Sequence, residues 1–204
     1  LAHAMHAAIA ADHLKDGGSV LDIGASHGEF FHALFRRYDK IGGIPNNLSL
    51  TATDVSYDMC AIMSQSLPGV TIIQQDLMEN PFLQSTAKYD FINCMYVLQF
   101  LPEFAQGLVL TKMCTMLKPG GILSIGQKEA KPGVIGDCLH RHYIEFRLEN
   151  GYTQAEIDAK THALKNSMWP MTHEVFMGVL TGFGMRNIST VTRNGVFATY
   201  IAQR

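Results

Sequence analysis

The spacing of apolar residues predicts an alternation of helices and strands along the first part of the chain. Residues 1–14 are rich in alanine and predict a helix, which the glycine pair at 17–18 ends. The apolar run at 20–23 predicts a strand that is buried on both faces. From Glu29 to Arg37 an apolar stripe recurs at helical spacing and predicts an amphipathic helix.

The same alternation continues to residue 128. Strands are predicted at 48–53 and 70–76, at 89–101 including the exit of that strand, and after the sharp turn at 119–121. Helices are predicted at 57–66 and 103–117, and Pro81 indicates a loop. Strands that alternate with helices indicate a parallel sheet with helices on both faces.

Residues 129–172 depart from this alternation and predict a helical insertion. Two polar helices are expected, at 134–149 and 153–167. Thr153 followed by Glu156 is typical of a capping box that opens the second of them. An insertion at this point of an α/β sheet is expected to act as a lid or to carry part of a binding pocket.

The C-terminal part of the chain predicts a helix at 172–180 and a hairpin. Alternating runs at 185–192 and 196–202 flank Asn194-Gly195, which is a strong hairpin signal. The predicted fold class is α/β, a Rossmann-like, mostly parallel seven-stranded sheet with a C-terminal antiparallel hairpin and a helical insertion before the sixth strand. Residues 1–204 are expected to form a single domain.

The composition is that of a globular protein. The 204 residues are 47% hydrophobic and 17% charged with a net charge of −2, so direct binding to nucleic acid or to a membrane is not expected. The four cysteines lack metal-ligand spacing, which favours core thiols in a reducing cytoplasm. No metal is expected, because the histidines have no convergent partners. The chain begins at Leu1 rather than at methionine, so its native start is expected to be missing.

Gly24 and Gly28 bracket a tight turn between the first predicted strand and its helix. Glycine lets the backbone bend sharply there and lets a ligand approach, and the free N–H groups of the helix point toward that ligand. The dinucleotide fingerprint G-x-G-x-x-G is incomplete, because Ser26 occupies the position of its middle glycine. The turn therefore indicates a ligand site of another kind, or an ordinary strand–turn–helix unit.

Two polar residues lie where an open α/β sheet binds ligands. Asp54 ends the second predicted strand, where a carboxylate can accept hydrogen bonds from ribose hydroxyls. The alternatives for Asp54 are a solvated loop residue and a helix cap. Asn93 interrupts the apolar fourth strand beside the point where strand order reverses, so it is either a ligand contact or a core amide.

Two segments resemble the class I S-adenosylmethionine (SAM) methyltransferases. Asp22 lies two residues before Gly24, and Gly28 four residues after it, as in the first motif of that family. Residues 117–123, L-K-P-G-G-I-L, resemble the element before the family's fifth strand. The resemblance implies the class I methyltransferase fold, SAM as cofactor with its methionine part over the turn, and a contact between Asp76 and the adenine amino group.

Three segments resemble one family more closely, the carboxy-S-adenosylmethionine (carboxy-SAM) synthases. Residues 22–28, 96–101 and 150–157 are similar to its D-L-G-C-S-L-G, T-L-Q-F-L and N-G-Y-S-x-x-E-I. That family converts SAM and prephenate to carboxy-SAM and phenylpyruvate, and its product is used to modify the wobble uridine of tRNA. The motif and the resemblance together assign cofactor contacts to Asp22, Gly24, Ala25, Ser26, Gly28, Asp54, Val55, Asp76, Leu77 and Asn93.

The chain departs from that family in the substrate region, where Gln99, Thr161 and Trp169 are predicted to lie. Thr161 stands where the family has an arginine that serves the active-site carboxylate. Threonine cannot make the bidentate, charge-assisted contact of an arginine. Lys160 or Lys165 is a hypothetical replacement. A family tyrosine upstream of the first strand falls before the start of the chain.

The function predicted from these patterns is that of a SAM-dependent methyltransferase-family enzyme acting on a small molecule. The alternatives are a carboxy-SAM synthase, with SAM or carboxy-SAM bound, and a non-catalytic SAM-binding protein that uses its insertion as an interface. Candidates for a catalytic base are Tyr96, His142 and Tyr143. The family resemblance implies a homodimer with the insertion helices as its contact surface.

Overall fold

The computed structural model describes residues 2–204, so Leu1 of the predicted first helix lies outside the described residues. The strands are β1 Ser19–Ile23, β2 Ser49–Asp54, β3 Thr71–Gln74, β4 Tyr89–Met95, β5 Leu117–Lys128, β6 Arg186–Asn194 and β7 Phe197–Gln203. They form one seven-stranded sheet in the order β3-β2-β1-β4-β5-β7-β6. The pairs among β1 to β5 are parallel, and β7 is antiparallel to β5 and β6. The predicted parallel sheet and its terminal hairpin are therefore confirmed.

Eight α-helices accompany the sheet in the described chain. They are α1 Ala2–His13, α2 Glu29–Ile41, α3 Tyr57–Ser66, α4 Asn80–Leu83, α5 Glu103–Met116, α6 Val134–Glu149, α7 Gln154–Leu164 and α8 His173–Gly182, with a 3₁₀ turn at Leu98–Phe100. The insertion helix α6 has the predicted bounds. Thr153 and Glu156 form the predicted capping box at the start of α7, which ends three residues earlier than expected.

Two predictions of local structure were wrong. Pro81 lies in the one-turn helix α4 rather than in a loop, since proline is tolerated in the first turn of a helix. Strand β5 begins at Leu117, before the predicted turn, because Leu117 already pairs with Tyr89. The register with β4 shifts between Tyr89 and Phe91, so the proline and glycines form an irregularity within the strand instead of its start.

The sheet is covered on both faces, as a parallel sheet requires. One apolar cluster joins the sheet to α5 and α8, and the other joins it to α1, α2 and α3. Cys60, Cys94 and Cys114 are buried free thiols within these layers. From residue 2 to residue 204, no helix combines the length and the apolar character needed to cross a membrane.

Glu129 holds the two ends of the insertion together. Its side chain has no exposed surface, and it accepts hydrogen bonds from Arg193 at 2.6 Å, from His173 at 3.1 Å and from the Tyr200 hydroxyl. Lys131 pairs with it at 3.1 Å. Since Glu129 is the first residue of the insertion and His173 lies just after it, both ends are held at one point. The Ala130 N–H also donates to the Met171 carbonyl at 2.8 Å, which keeps the two ends side by side.

We expect Glu129→Gln to lower the free energy of unfolding by about 2–4 kcal/mol at pH 7, since two cations lose a buried partner. Burial acts to raise the pKa of Glu129, but its donors, Arg193 foremost, lower it to about 2. The ionised side chain therefore stabilises the fold above the ordinary pKa near 4.5, and that stabilisation is lost as pH falls toward 2. Urea unfolding of both proteins between pH 7 and 3 checks this.

The matched control is Glu145→Gln, because Glu145 pairs with His142 at an exposed position. That change should leave stability unaltered within error. Equal stability of wild type and Glu129→Gln at pH 7 would show that the cluster does not anchor the insertion.

Candidate cofactor and acceptor cavities

The glycine turn after β1 is fixed both by backbone conformation and by packing. Gly24 and Gly28 have φ of 63° and 78°, where other residues are strained. A Cβ on Gly24 would lie 2.3 Å from Cγ2 of Val97, and one on Gly28 would lie 2.4 Å from Cδ1 of Leu67. Ser26, between them, also has a positive φ of 52°. The turn is therefore held close to the chain that leaves β4.

Asp54 ties this turn to the end of β2. Its Oδ2 accepts a hydrogen bond from the Ser26 N–H at 2.8 Å, and its Oδ1 accepts one from the Ser56 N–H at 2.9 Å. The carboxylate is thus oriented by two backbone donors, and each oxygen keeps a lone pair for a ligand. The prediction that Asp54 ends the second strand is confirmed.

A cavity of about 450 Å³ opens at this edge of the sheet, within the usual size range of small-molecule sites. Seven predicted residues line it, namely Gly24, Ser26, Asp54, Val55, Asp76, Leu77 and Tyr96. Sequence reasoning missed six others, which are Thr53, Gln75, Met95, Val97, Phe100 and Leu101. All six lie at the carboxyl end of a parallel strand or in the segment that leaves it, and this position in the sequence could have identified them.

The structure does not bring Asp22, Ala25, Gly28 or Asn93 into the wall of this cavity. Asn93 is 1% exposed and donates from Nδ2 to Oδ1 of Asp22 at 2.7 Å, so its position is that of the core-amide alternative. Asp22 is also buried, and burial raises its pKa to about 7 despite the hydrogen bond from Asn93. Ala25 and Gly28 are buried within the turn, where they shape it from the side of the core.

A second cavity of about 690 Å³ lies between the insertion helices and the end of the sheet. Gln99, Thr161 and Tyr143 line it, as do Lys160 and Lys165. Its lining shares a residue with the first cavity, since Phe100 contributes to both walls.

Two other predicted residues of this region are placed elsewhere. Trp169 is not in the wall, although its backbone N–H donates to the Gln99 carbonyl at 2.7 Å and so holds the end of the insertion against it. His142 is exposed, pairs with Glu145 and lines neither cavity.

The second cavity carries an excess of positive charge. Lys128, Arg147, Lys160 and Lys165 line it together with a single carboxylate, Asp158. Arg147 is 7% exposed and lies over the Tyr152 ring at 4.6 Å, yet within residues 2–204 it has no ion-pair partner. Lys128 likewise has none, and burial lowers its pKa.

Thr161 offers this cavity no free donor. Its hydroxyl donates to the carbonyl of Ile157 at 2.8 Å within α7, so its proton is already used. Of the residues that line the cavity, Lys128, Arg147, Lys160 and Lys165 are best suited to pair with a carboxylate. Within the described part of the chain, no group of three or more His, Cys, Asp or Glu residues is placed to hold a metal.

Comparison with known proteins agrees with this geometry. The family model described as a methyltransferase domain matches residues 20–121, which is half of the chain. The carboxy-SAM synthase of Wolinella succinogenes is 30% identical over 195 residues, which cover 93% of this chain and 78% of that one. The carboxy-SAM synthase of Chromohalobacter salexigens is 29% identical over 95% of this chain and 71% of that one.

The fold also matches solved methyltransferase structures. Magnesium protoporphyrin IX methyltransferase from Synechocystis PCC 6803, solved with bound S-adenosylhomocysteine (SAH), superposes with a TM-score of 0.62 at 17% identity. The match covers 98% of this chain and 80% of that one. At this identity the likeness concerns the fold alone.

The turn provides a direct test of cofactor binding. We expect Gly24→Ala to weaken SAM binding at least about tenfold, because the new Cβ meets Val97 and the positive φ becomes strained. The double variant Gly24→Ala/Val97→Ala should recover only part of the affinity, since it removes the clash but not the strain. Isothermal titration with SAM measures both.

Gly178→Ala in α8 is the matched control, because no atom lies within 4 Å of the added Cβ. It should bind SAM as the wild type does. Unchanged SAM affinity in Gly24→Ala would remove the turn from the cofactor site.

SAM fits the first cavity by size and by a glycine turn that a Cβ would fill, and two carboxylates, Asp54 and Asp76, line that cavity. SAM is the cofactor, and the protein is a SAM-dependent transferase. The family model, the relatives and the sheet topology agree, and the chain belongs to the class I SAM-dependent methyltransferase family.

Proposed function

We propose that the protein transfers the methyl group of SAM to a small anionic molecule bound in the second cavity. The observation that carries this proposal is the pair of cations, Lys128 and Arg147, that line the cavity without an ion-pair partner. Keeping unpaired charges partly or fully buried costs free energy, and a bound anion offsets that cost. Phe100 lines both cavities, which supports an acceptor in the second cavity lying next to the cofactor in the first.

In this proposal the chain mainly binds and orients, because SAM supplies the activated methyl group when bound. Asp54 accepts from the ribose hydroxyls and Asp76 from the adenine amino group, while the turn at Gly24 and Ser26 faces the methionine part. Val55 and Leu77 supply apolar contacts to the adenosine. These roles are supported by the shared cavity wall and by the family resemblance.

The base candidates differ in position. Tyr96 lines the cofactor cavity, and burial raises the pKa of its hydroxyl, so at neutral pH it is a hydrogen-bond donor rather than a base. Tyr143 lines the acceptor cavity, and His142 is remote from both. An acceptor that is already ionised at neutral pH, such as a carboxylate, needs no base and suits the site with or without Tyr143.

Carboxy-SAM synthesis is the second candidate. It is favoured by the two relatives of that name and by the cationic cavity, where Lys160 or Lys165 could stand in for the family arginine. It is disfavoured by Thr161, whose hydroxyl is engaged within its own helix. The two candidates predict different small molecules on the purified protein.

The test is mass spectrometry of the ligand released when freshly purified protein is denatured. We expect SAM or SAH, followed by transfer of labelled methyl from SAM to members of a carboxylate panel but not to their methyl esters. Lys128→Met should lose that transfer while keeping SAM affinity. Release of carboxy-SAM would favour the second candidate, and SAM turnover that is equal with acids and esters would contradict the anionic acceptor.

We also propose a homodimer built on the insertion. Ile135, Leu139 and Phe146 lie at positions that share one face of α6, and Ile135 and Phe146 are 71% and 55% exposed. Such an apolar stripe on a polar helix is typical of a contact surface. We expect the wild type to be a dimer at micromolar concentration and Ile135→Ser/Phe146→Ser to be a monomer, as measured by size exclusion with light scattering.

Phe104→Ser is the control for this experiment, because Phe104 is 79% exposed but lies on α5. It should remain dimeric. A monomeric wild type would contradict the proposal.

The reducing cytoplasm is the proposed compartment, on the ground that Cys60, Cys94 and Cys114 are buried as free thiols. Direct binding to nucleic acid is not part of the proposal, since the chain carries a net charge of −2.

A further inference from the structure

Four buried polar side chains form a continuous row across the middle of the sheet. Asp22 of β1 pairs in register with Asn93 of β4, and Asn93 pairs with Ser124 of β5. His6 of α1 lies against the far end of the row. All four are 0–2% exposed, although polar groups of this kind are costly to bury without partners.

The hydrogen bonds in this row run in one direction. Nδ2 of Asn93 donates to Oδ1 of Asp22 at 2.7 Å, so the amide oxygen of Asn93 is left to accept from the Ser124 hydroxyl at 2.8 Å. That hydroxyl has only one proton, and its oxygen must therefore accept from Nδ1 of His6 at 2.8 Å. The order of donors assigns the proton of His6 to Nδ1.

His6 is a neutral donor in this arrangement. Burial lowers its pKa to about 4, so the ring carries no charge at neutral pH. Its Nε2 is buried and has no hydrogen-bond partner in the described chain. His6 thus donates one hydrogen bond to the row. Each hydrogen bond in the row strengthens the next one by polarisation.

The row of hydrogen bonds ends on the carboxylate of Asp22, whose ionised form most needs a donor. Burial raises the pKa of Asp22, and the negative charge of Asp54 raises it further, whereas Asn93 opposes the shift. The other titratable groups that face this region supply no positive charge. Burial raises the pKa of the Cys94 thiol and lowers that of His3. The Asn93 amide is the one donor that the described residues give the Asp22 side chain.

We propose that His6 and Ser124 are positioning residues that hold Asp22 as a carboxylate and thereby strengthen the binding of the cationic cofactor. Asp22 lies two residues before Gly24 in the sequence, and it is close enough to Asp54, which lines the cofactor cavity, for the charge of Asp54 to raise its pKa. A charge on Asp22 therefore acts on a ligand in that cavity as well. SAM carries a sulfonium cation, whereas SAH carries a neutral sulfur. This effect of Asp22 acts on the cofactor alone, whatever the acceptor is.

The test compares the affinities for SAM and SAH by isothermal titration from pH 5.5 to 8.5. In the wild type, the preference for SAM over SAH should rise with pH around 7, where Asp22 loses its proton. Ser124→Ala interrupts the row of hydrogen bonds, so Asp22 should ionise at higher pH. SAM affinity at pH 7 should then fall roughly three- to tenfold. SAH affinity should change little. His6→Phe should act in the same direction with a smaller effect.

Thr199→Val is the matched control, because Thr199 is 0% exposed on the neighbouring β7 and its hydroxyl bonds to Thr192, outside the row. Its SAM and SAH curves should follow those of the wild type. Equal losses of SAM and SAH affinity at every pH in Ser124→Ala would contradict the proposal, because they would show that the row contributes only to packing. A SAM preference in the wild type that stays flat across the pH range overturns the proposal without any variant.

Discussion

The cofactor cavity depends on the hydrogen bond between Oδ2 of Asp54 and the Ser26 N–H. These residues are 28 positions apart, and the 2.8 Å contact joins the turn after β1 to the end of β2. The Ala25 N–H adds a second link by donating to the Thr53 carbonyl at 2.9 Å. Because β1 and β2 pair in parallel register up to Ile23 and Thr53, the two links continue the sheet into the turn. The cavity floor is therefore a direct extension of the two paired strands.

The turn also depends on a segment that comes much later in the chain. Tyr96 has a φ of 61°, an unfavourable conformation for a tyrosine, and it redirects the chain as it leaves β4. Val97 then packs against Gly24 so closely that no side chain fits there. The glycine motif, which reads as a local feature of the sequence, is thus required by tertiary packing. Strain of this kind collects at functional sites, where the surrounding structure holds it in place.

Much of the fold was predictable because its signals are local. Helix periodicity, the capping box at Thr153 and the terminal hairpin need no long-range information, and each was found. The hairpin turn lies one residue later than predicted, at Gly195-Val196, because Asn194 still pairs with Phe197 as the last residue of β6. The role of Asn93 was not predictable in this way. A strand buried on both faces shows no alternation, so the sequence cannot indicate whether a polar residue points to the cavity or to the core. Its partner Ser124 and the distant His6 become visible only when β5 and α1 are in place.

Glu129 and Asp22 show how donors decide the state of a buried carboxylate. Both side chains lie almost entirely out of solvent, and burial acts to raise the pKa of each. Glu129 receives donors from four side chains, two of them cationic, and its pKa falls to about 2, so it is ionised at neutral pH. Asp22 receives one neutral donor, and its pKa rises to about 7. The first suits a permanent anchor for the insertion, while the second leaves a charge near the cofactor turn that a neighbouring cation can stabilise.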